Sequence, residues 1–132
     1  MSDGQSFVAS GDLSSNQYRL VRMSGAASFE VSAITNGNGQ KPFGIQQNDP
    51  SNAGEPVEVA LPGDITKAEL GGTVNEGDEL GSNATSGELI AAPAESPIGT
   101  ADLYINALAL EAGADGDIIK VLVLTPVKGS LE

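Results

Sequence analysis

The segment Gly116-Asp-Ile-Ile-Lys-Val-Leu-Val123 decides the fold class, because its pattern occurs a second time in Gly54-Glu-Pro-Val-Glu-Val-Ala-Leu61. With the glycines aligned, apolar residues coincide at every second position: Val57 with Ile119, Val59 with Val121, and Leu61 with Val123. A period of two is that of a β-strand with one buried face. Each segment follows a short apolar stretch and a turn, so the sequence predicts two β-hairpins.

Other short apolar or alternating segments predict further strands, over residues 18–23, 29–34, 43–45, 65–70, 74–80, 88–92 and 107–110. Residues 65–70 fit a helical turn or a strand, and the neighbouring strands favour a strand. Residues 118–124 are nearly all apolar, which predicts a central strand covered on both faces. The pattern therefore predicts an all-β fold, as one small β-barrel or β-sandwich with a β-tulip-like outline.

The two ends of the chain differ from this pattern. Residues 1–16 are polar apart from the isolated apolar points Phe7, Val8 and Leu13, which predicts an extended N-terminal arm. We expect residues 17–125 to form the β domain and residues 126–132 a peripheral C-terminal tail.

The composition allows a core of modest size. Leucine, isoleucine, valine and phenylalanine make up 32 of the 132 residues, about 24%, which lies only a little above the range of disordered chains. Glycine and proline add up to 24 residues, as expected for short strands joined by turns. A modest core favours oligomerisation as a further source of stability.

The chain contains neither histidine nor cysteine. This excludes Ser-His-Asp and Cys-His nucleophilic systems, the common zinc sites and disulfides. The net charge of −12 argues against a nucleic-acid partner and against binding to an anionic membrane. We therefore expect no enzyme activity, no cofactor and no metal. The sequence also shows no secretory signal and no apolar run that could span a bilayer.

Six segments, taken in order, resemble the capsid cement or head decoration proteins of tailed bacteriophages: Phe43-Gly-Ile45, Ala53-Gly-Glu-Pro-Val-Glu-Val59, Gly77-Asp-Glu-Leu80, Ala84-Thr-Ser-Gly87, Ala107-Leu-Ala-Leu-Glu-Ala-Gly113 and Gly116-Asp-Ile-Ile-Lys-Val121. The opening, with Phe7-Val-Ala9, Asp12-Leu13 and Gln17-Tyr18, is also similar to the start of that family. The resemblance covers residues 5–125.

The resemblance implies a structural virion protein that is made in the bacterial host cytoplasm and binds the outer surface of the phage head. Such subunits are usually trimeric, and they clamp neighbouring subunits of the major capsid protein, often with help from an N-terminal arm. It therefore implies a homotrimer whose partner is the major capsid protein. The interface candidates are Phe7, Val8, Leu13, Tyr18, Arg19 and Arg22.

Two other functions remain open at this point. One is a generic β-rich binding module, of adhesin or carbohydrate-binding type, although no tryptophan, two tyrosines and three phenylalanines leave little surface for stacking on sugars. The other is a carboxylate-based enzyme or a calcium site at Asp115 and Asp117, or at Glu76, Asp78 and Glu79. Without a complete calcium-loop pattern, such acids are ordinarily turn residues and solvated charges.

Overall fold

The computed structural model describes residues 7–25, 29–35, 41–82, 86–91 and 103–129. All regular secondary structure in these ranges is β, which confirms the predicted fold class. The strands are β1 (Phe7–Ala9), β2 (Leu20–Met23), β3 (Glu30–Ala33), β4 (Gly44–Gln46), β5 (Pro56–Val57), β6 (Val59–Ala60), β7 (Ile65–Glu69), β8 (Glu79–Ser82), β9 (Leu89–Ala91), β10 (Leu103–Ala109) and β11 (Ile118–Gly129).

The strands form two sheets. A six-stranded sheet has the order β5-β1-β3-β2-β4-β6, and a five-stranded sheet has the order β7-β11-β10-β8-β9. Among the predicted strands, residues 18–23 and 29–34 correspond to the antiparallel pair β2–β3, and residues 74–80 and 88–92 overlap the antiparallel pair β8–β9. Residues 65–69 of the predicted segment 65–70 form a strand, as the sequence favoured.

The six-stranded sheet nearly closes into a barrel. Its edge strands β5 and β6 follow each other in the chain and are separated only by Glu58. Asn48 lies at this junction, where its Nδ2 donates to the carbonyl of Pro56 at 3.0 Å and its Oδ1 accepts from the amide of Glu58 at 2.9 Å. One side-chain amide thus pairs with backbone groups where the strand passes from one edge to the other.

Two clusters of buried apolar side chains form the core. One lies within the six-stranded sheet and contains Ala9, Leu13, Val21, Val31 and Val57. The larger cluster joins the two sheets, with Leu20, Ile34 and Ile45 on one side and Leu70, Leu80 and Val121 among the residues on the other. The neighbours Leu20 and Val21 belong to different clusters, so β2 is covered on both faces.

The prediction that residues 118–124 are covered on both faces is wrong at the start of β11. Ile119, Val121 and Val123 are buried, but Ile118 is 50% exposed and Lys120 is exposed. The alternation is that of a strand with one face on the core and the other toward solvent. β11 nevertheless lies inside its sheet, between β7 and β10.

The predicted N-terminal arm does not extend over residues 7–16. β1 lies inside the six-stranded sheet, parallel to β3 and antiparallel to β5. Leu13 is only 5% exposed, and the buried side chain of Asn16 donates to Gln46 Oε1 at 3.0 Å. Gln46 in turn donates to the carbonyl of Leu13 at 2.9 Å. These hydrogen bonds fix a segment that has too few apolar residues to indicate its burial. Residues 1–6 of the predicted arm lie outside the described residues.

The predicted boundary at residue 125 is also corrected. β11 continues to Gly129, and its last residues pair with β10 from Leu103 to Ile105. The ladder between the two strands shifts register between Ile105 and Ala107, which accommodates Pro126 in a long strand because proline is tolerated at bulges.

Candidate functional site

The structure separates the six predicted interface residues instead of gathering them on one arm. Phe7 and Val8 are half-buried in β1, and Leu13 is buried in the core of the six-stranded sheet. Tyr18, Arg19 and Arg22 are half-buried near β2. Leu13 thus belongs to its own subunit's core. That these six residues contact a partner stays a prediction.

Arg19 connects the two sheets. Its Nε donates to Glu69 Oε1 on β7 at 2.9 Å, and its Nη2 lies 3.4 Å from Glu88 Oε2 beside β9. The hydrogen bond that Arg19 donates to Glu69, with the charges of both carboxylates, raises the pKa of the Arg19 guanidinium, although partial burial opposes this. These contacts give Arg19 a structural role between the sheets.

Arg22 makes a different kind of contact. Its Nη1 donates to the carbonyl of Met23 at 3.3 Å, while its buried Nε has no hydrogen-bond partner among the described residues. Met23 itself is 42% exposed at the end of β2.

All three phenylalanines of the chain form one group, which we call the aromatic patch (Phe7, Phe29 and Phe43). The ring centroids of Phe7 and Phe43 lie 5.2 Å apart, and those of Phe7 and Phe29 lie 6.1 Å apart, both in tilted arrangements. Phe29 is 43% exposed and has a φ of 60°, in the left-handed region that side chains other than glycine rarely adopt. A strained backbone thus presents a large aromatic ring to solvent.

A second surface feature is an open groove of about 470 Å³, which we call the lysine groove. It is lined by Tyr18, Gln47, Glu58, Ile65, Thr66, Lys67 and Lys120. Lys67 and Lys120 are direct cross-strand partners on β7 and β11, and Ile65 is 66% exposed. Tyr18 also has a left-handed backbone, with a φ of 68°. The groove combines apolar surface with two neighbouring positive charges in a chain of net charge −12.

Two of the acidic residues considered for calcium binding, Asp78 and Asp117, accept backbone hydrogen bonds in turns. In four turns a glycine with φ between 85° and 98° is followed by an acid: Gly54-Glu55, Gly63-Asp64, Gly77-Asp78 and Gly116-Asp117. In three of them the aspartate accepts the backbone amide three residues earlier, at 2.8–2.9 Å. Among the described residues no group of three or more acids is placed to hold a metal ion. Asp78 and Asp117 therefore act as turn residues.

Glu55 completes the fourth turn with two backbone bonds. The amides of Ser51 and Asn52 donate to its carboxylate and lower the pKa of Glu55 below the ordinary 4.5. Since the shift is downward on folding, the stabilisation is present above pH 4.5 and is lost as the pH falls through the folded-state pKa. The amide and hydroxyl of Ser14 lower the pKa of Asp12 in the same way.

Sequence reasoning missed the exposed residues that the fold brings together. Phe29 and Phe43 stood in predicted strands, and only the pairing of β1 with β3 places Phe7 beside Phe29. Lys67 and Lys120 are 53 positions apart in the sequence and become neighbours only through the register of β7 and β11. The available signal was that Lys120 interrupts an otherwise apolar run at residues 118–124, whereas Lys67 stands in the mixed segment Ile65-Thr-Lys-Ala-Glu69 and gives no such signal.

In the part of the chain that the structure describes, no helix has the length and apolar character to cross a membrane.

No family model matches the sequence, and no curated protein matches it. Among solved structures, the chain is similar to the crystal structure of the head fiber gp8.5 N base in bacteriophage phi29. The likeness covers 92% of each chain with a TM-score of 0.63 and 17% sequence identity. At this identity the comparison shows that the two chains share a fold.

Proposed function

We propose that this protein is a structural component of a phage virion that attaches to the outside of the head. The observation that carries the proposal is the likeness in fold, over 92% of both chains, to a base described as part of a phage head fiber. A shared fold alone does not determine function. The ordered sequence motifs that resemble head decoration proteins provide the second, independent support.

In finer terms, the protein acts as a cement: it binds the major capsid protein, holds neighbouring capsid subunits together and catalyses no reaction. An acidic surface suits a protein that is exposed on a particle and must stay soluble. Many copies on one lattice gain strength from individually modest contacts, so no single large interface is needed. We also propose a homotrimer, since the modest core favours association and the resembling family is usually trimeric.

The aromatic patch is our candidate for the contact with the head. Large aromatic side chains dominate the binding energy of many interfaces. Phe29 is exposed, whereas Phe7 and Phe43 support it from the half-buried side. An exposed ring on a strained backbone is costly to a free monomer, and such strain is often kept at positions that serve binding.

The test is co-sedimentation of the purified protein with heads of the encoding phage, prepared from a mutant that lacks this gene. We expect the protein to pellet with the heads at a saturating, fixed stoichiometry and to raise the temperature at which the heads release DNA. The Phe29→Gly variant should remain in the supernatant. A protein that stays soluble with these heads but binds glycans would support the binding-module alternative and overturn this proposal.

A further inference from the structure

The free edge of β7 offers unpaired backbone groups beside the lysine groove. Among the described residues, β7 is an edge strand whose only ladder is with β11. Successive backbone groups of a strand point to alternate sides. The carbonyl of Asp64 and the amide of Leu70 bond toward β11, whereas the amide of Glu69 bonds outward to the carbonyl of Tyr18 at 2.8 Å. The amides and carbonyls of Ile65 and Lys67 therefore point outward, like that of Glu69.

The side chains next to this edge combine apolar surface with positive charge. Ile65 and Lys67 are two residues apart and stand on the same face of β7. Lys120 faces Lys67 across the ladder, and neither lysine forms an ion pair with an acidic side chain of the described residues. Like charges directly opposite each other are unfavourable in a sheet. Glu58 also lines the groove, so the three charged side chains there sum to one net positive charge.

We propose that the edge of β7 binds an extended acidic segment of another protein as an added strand. Backbone bonds to Ile65 and Lys67 provide the pairing, and the lysine groove selects the sequence. The partner strand places an apolar residue opposite Ile65 and an acidic residue opposite Lys67. Its sequence therefore has an apolar residue and an acidic residue separated by one residue of any type. The acidic side chain relieves the repulsion between Lys67 and Lys120.

Charge complementarity points to this occupant. Lysine on an edge strand discourages pairing with neutral or basic strands, which also protects the edge from aggregation. Lys67 on this edge strand, together with its neighbour Lys120, favours a partner strand that carries carboxylates. The inference is independent of the proposed attachment to a phage head, because it concerns binding by the isolated protein.

The experiment titrates the ¹⁵N-labelled full chain with a blocked peptide of about nine residues, a usual strand length. In the peptide, threonine alternates with valine and glutamate, so that valine and glutamate share one face. The control peptide has lysine in place of glutamate. We expect the largest chemical-shift changes, and slowed hydrogen exchange, at the amides of Ile65 and Lys67, with the glutamate peptide bound at least about tenfold more tightly than the lysine peptide.

Two variants separate charge from backbone pairing. The double variant Lys67→Glu with Lys120→Glu should reverse the preference between the two peptides. Ile65→Pro removes one outward amide and keeps both lysines, so it should lose binding. The variant should still fold, because proline is tolerated on edge strands when its nitrogen faces solvent. Lys41→Glu, which lies outside the groove, is the charge control and should bind like the unmodified chain.

Equal binding of both peptides, or full binding by folded Ile65→Pro, would overturn the proposal. So would shift changes confined to other residues. Concentration-dependent shifts at Ile65 and Lys67 without peptide would assign the edge to a second copy of the chain and would also overturn it.

Discussion

Phe29 has a left-handed backbone and an exposed aromatic ring. The backbone conformation lowers the stability of the fold, whereas the contact of the ring with Phe7 raises it. A non-glycine residue in the left-handed region costs about 1–2 kcal/mol. Its tilted contact with Phe7 returns about 0.5–1.5 kcal/mol. The residue therefore adds little to the stability of its own subunit, which is what a residue retained for binding would show.

The Phe29→Gly variant tests this balance. We expect its free energy of unfolding to stay within about 1 kcal/mol of the unmodified chain, because relief of strain offsets the lost ring contact. Denaturant titration followed by circular dichroism measures this. Phe7→Ala is the comparison, and we expect it to be clearly less stable because Phe7 contacts both other rings. A large loss of stability in Phe29→Gly would make Phe29 a core residue.

Val121 and Ile118 provide a matched pair on one strand. Val121 is fully buried in the core between the sheets, while Ile118 is 50% exposed. Val121→Asp places a carboxylate without a partner in the core, which should cost at least about 3 kcal/mol or prevent folding. Ile118→Asp makes the same chemical change on the outer face and should melt within a few degrees of the unmodified chain. Similar melting temperatures for the two variants would contradict the assignment of the β11 faces.

At the scale of elements, the turns between strands repeat one device. A left-handed glycine is followed by an acid, which accepts a backbone amide on the other side of the turn. The turn at residues 75–78 lies beside Ala109, because the amide of Gly77 donates to the carbonyl of Ala109 at 2.8 Å. The turn at residues 114–117 lies beside Leu70, because the amide of Gly116 donates to the carbonyl of Leu70 at 2.8 Å. Four of the 18 acidic residues thus accept a backbone amide in a turn of this kind: Glu55, Asp64, Asp78 and Asp117.

Asp117 and Asp115 distinguish a turn acid from a solvated one. Asp117 Oδ2 accepts from the amide of Ala114 at 2.9 Å, whereas no hydrogen bond among the described residues involves Asp115. Asp117→Ala should lower stability by about 1 kcal/mol, the usual value of one such bond. Asp115→Ala removes the same charge and should be neutral or slightly stabilising. Equal losses in thermal melting would mean that charge, and not the turn bond, sets the effect.

β1 is the element for which the structure differs most from the prediction, since the sequence predicts an extended arm there. Deleting residues 1–12 removes a strand that lies between β5 and β3, together with the buried side chain of Ala9. We expect this deletion to abolish the cooperative melting transition. Deleting only residues 1–6 leaves every described contact in place and should melt normally. A cooperative transition in the longer deletion would restore the docking-arm interpretation.

The strands that alternate apolar and polar residues could be predicted from the sequence, and β2, β3, β7 and β11 are found where the pattern indicates. β1 could not, since it is held by ladders to β3 and β5, which are distant in the sequence. The residues after β1 are fixed in part by the hydrogen bond between Asn16 and Gln46, which leaves no apolar signal. The two repeated segments of the sequence, residues 54–61 and 116–123, also differ in structure, although their apolar patterns are alike. Residues 118–123 form one strand, whereas residues 56–60 divide at Glu58 to serve opposite edges of the six-stranded sheet.

The two candidate surfaces, the aromatic patch and the lysine groove, could not be predicted from the sequence. The aromatic patch depends on the parallel pairing of β1 with β3, and the lysine groove depends on the register of β7 against β11. Both are contacts between distant parts of the chain. Sequence period indicates which side of a strand is buried, but it does not indicate which strand lies beside it.

At the scale of the whole molecule, two sheets share one core and are joined by Arg19 across their boundary. The aromatic patch and the lysine groove consist of different residues, so the two proposed contact surfaces are separate. A subunit that connects neighbours on a lattice requires more than one such surface, which is consistent with the proposed role as a cement.

Electron cryomicroscopy of heads that lack this protein, before and after its addition, tests the central claim most directly. The account predicts new density on the outer surface of the head, at repeated lattice positions, into which the two-sheet fold fits with the aromatic patch toward the capsid protein. Heads that look the same before and after addition, at protein concentrations that saturate any plausible site, would contradict it.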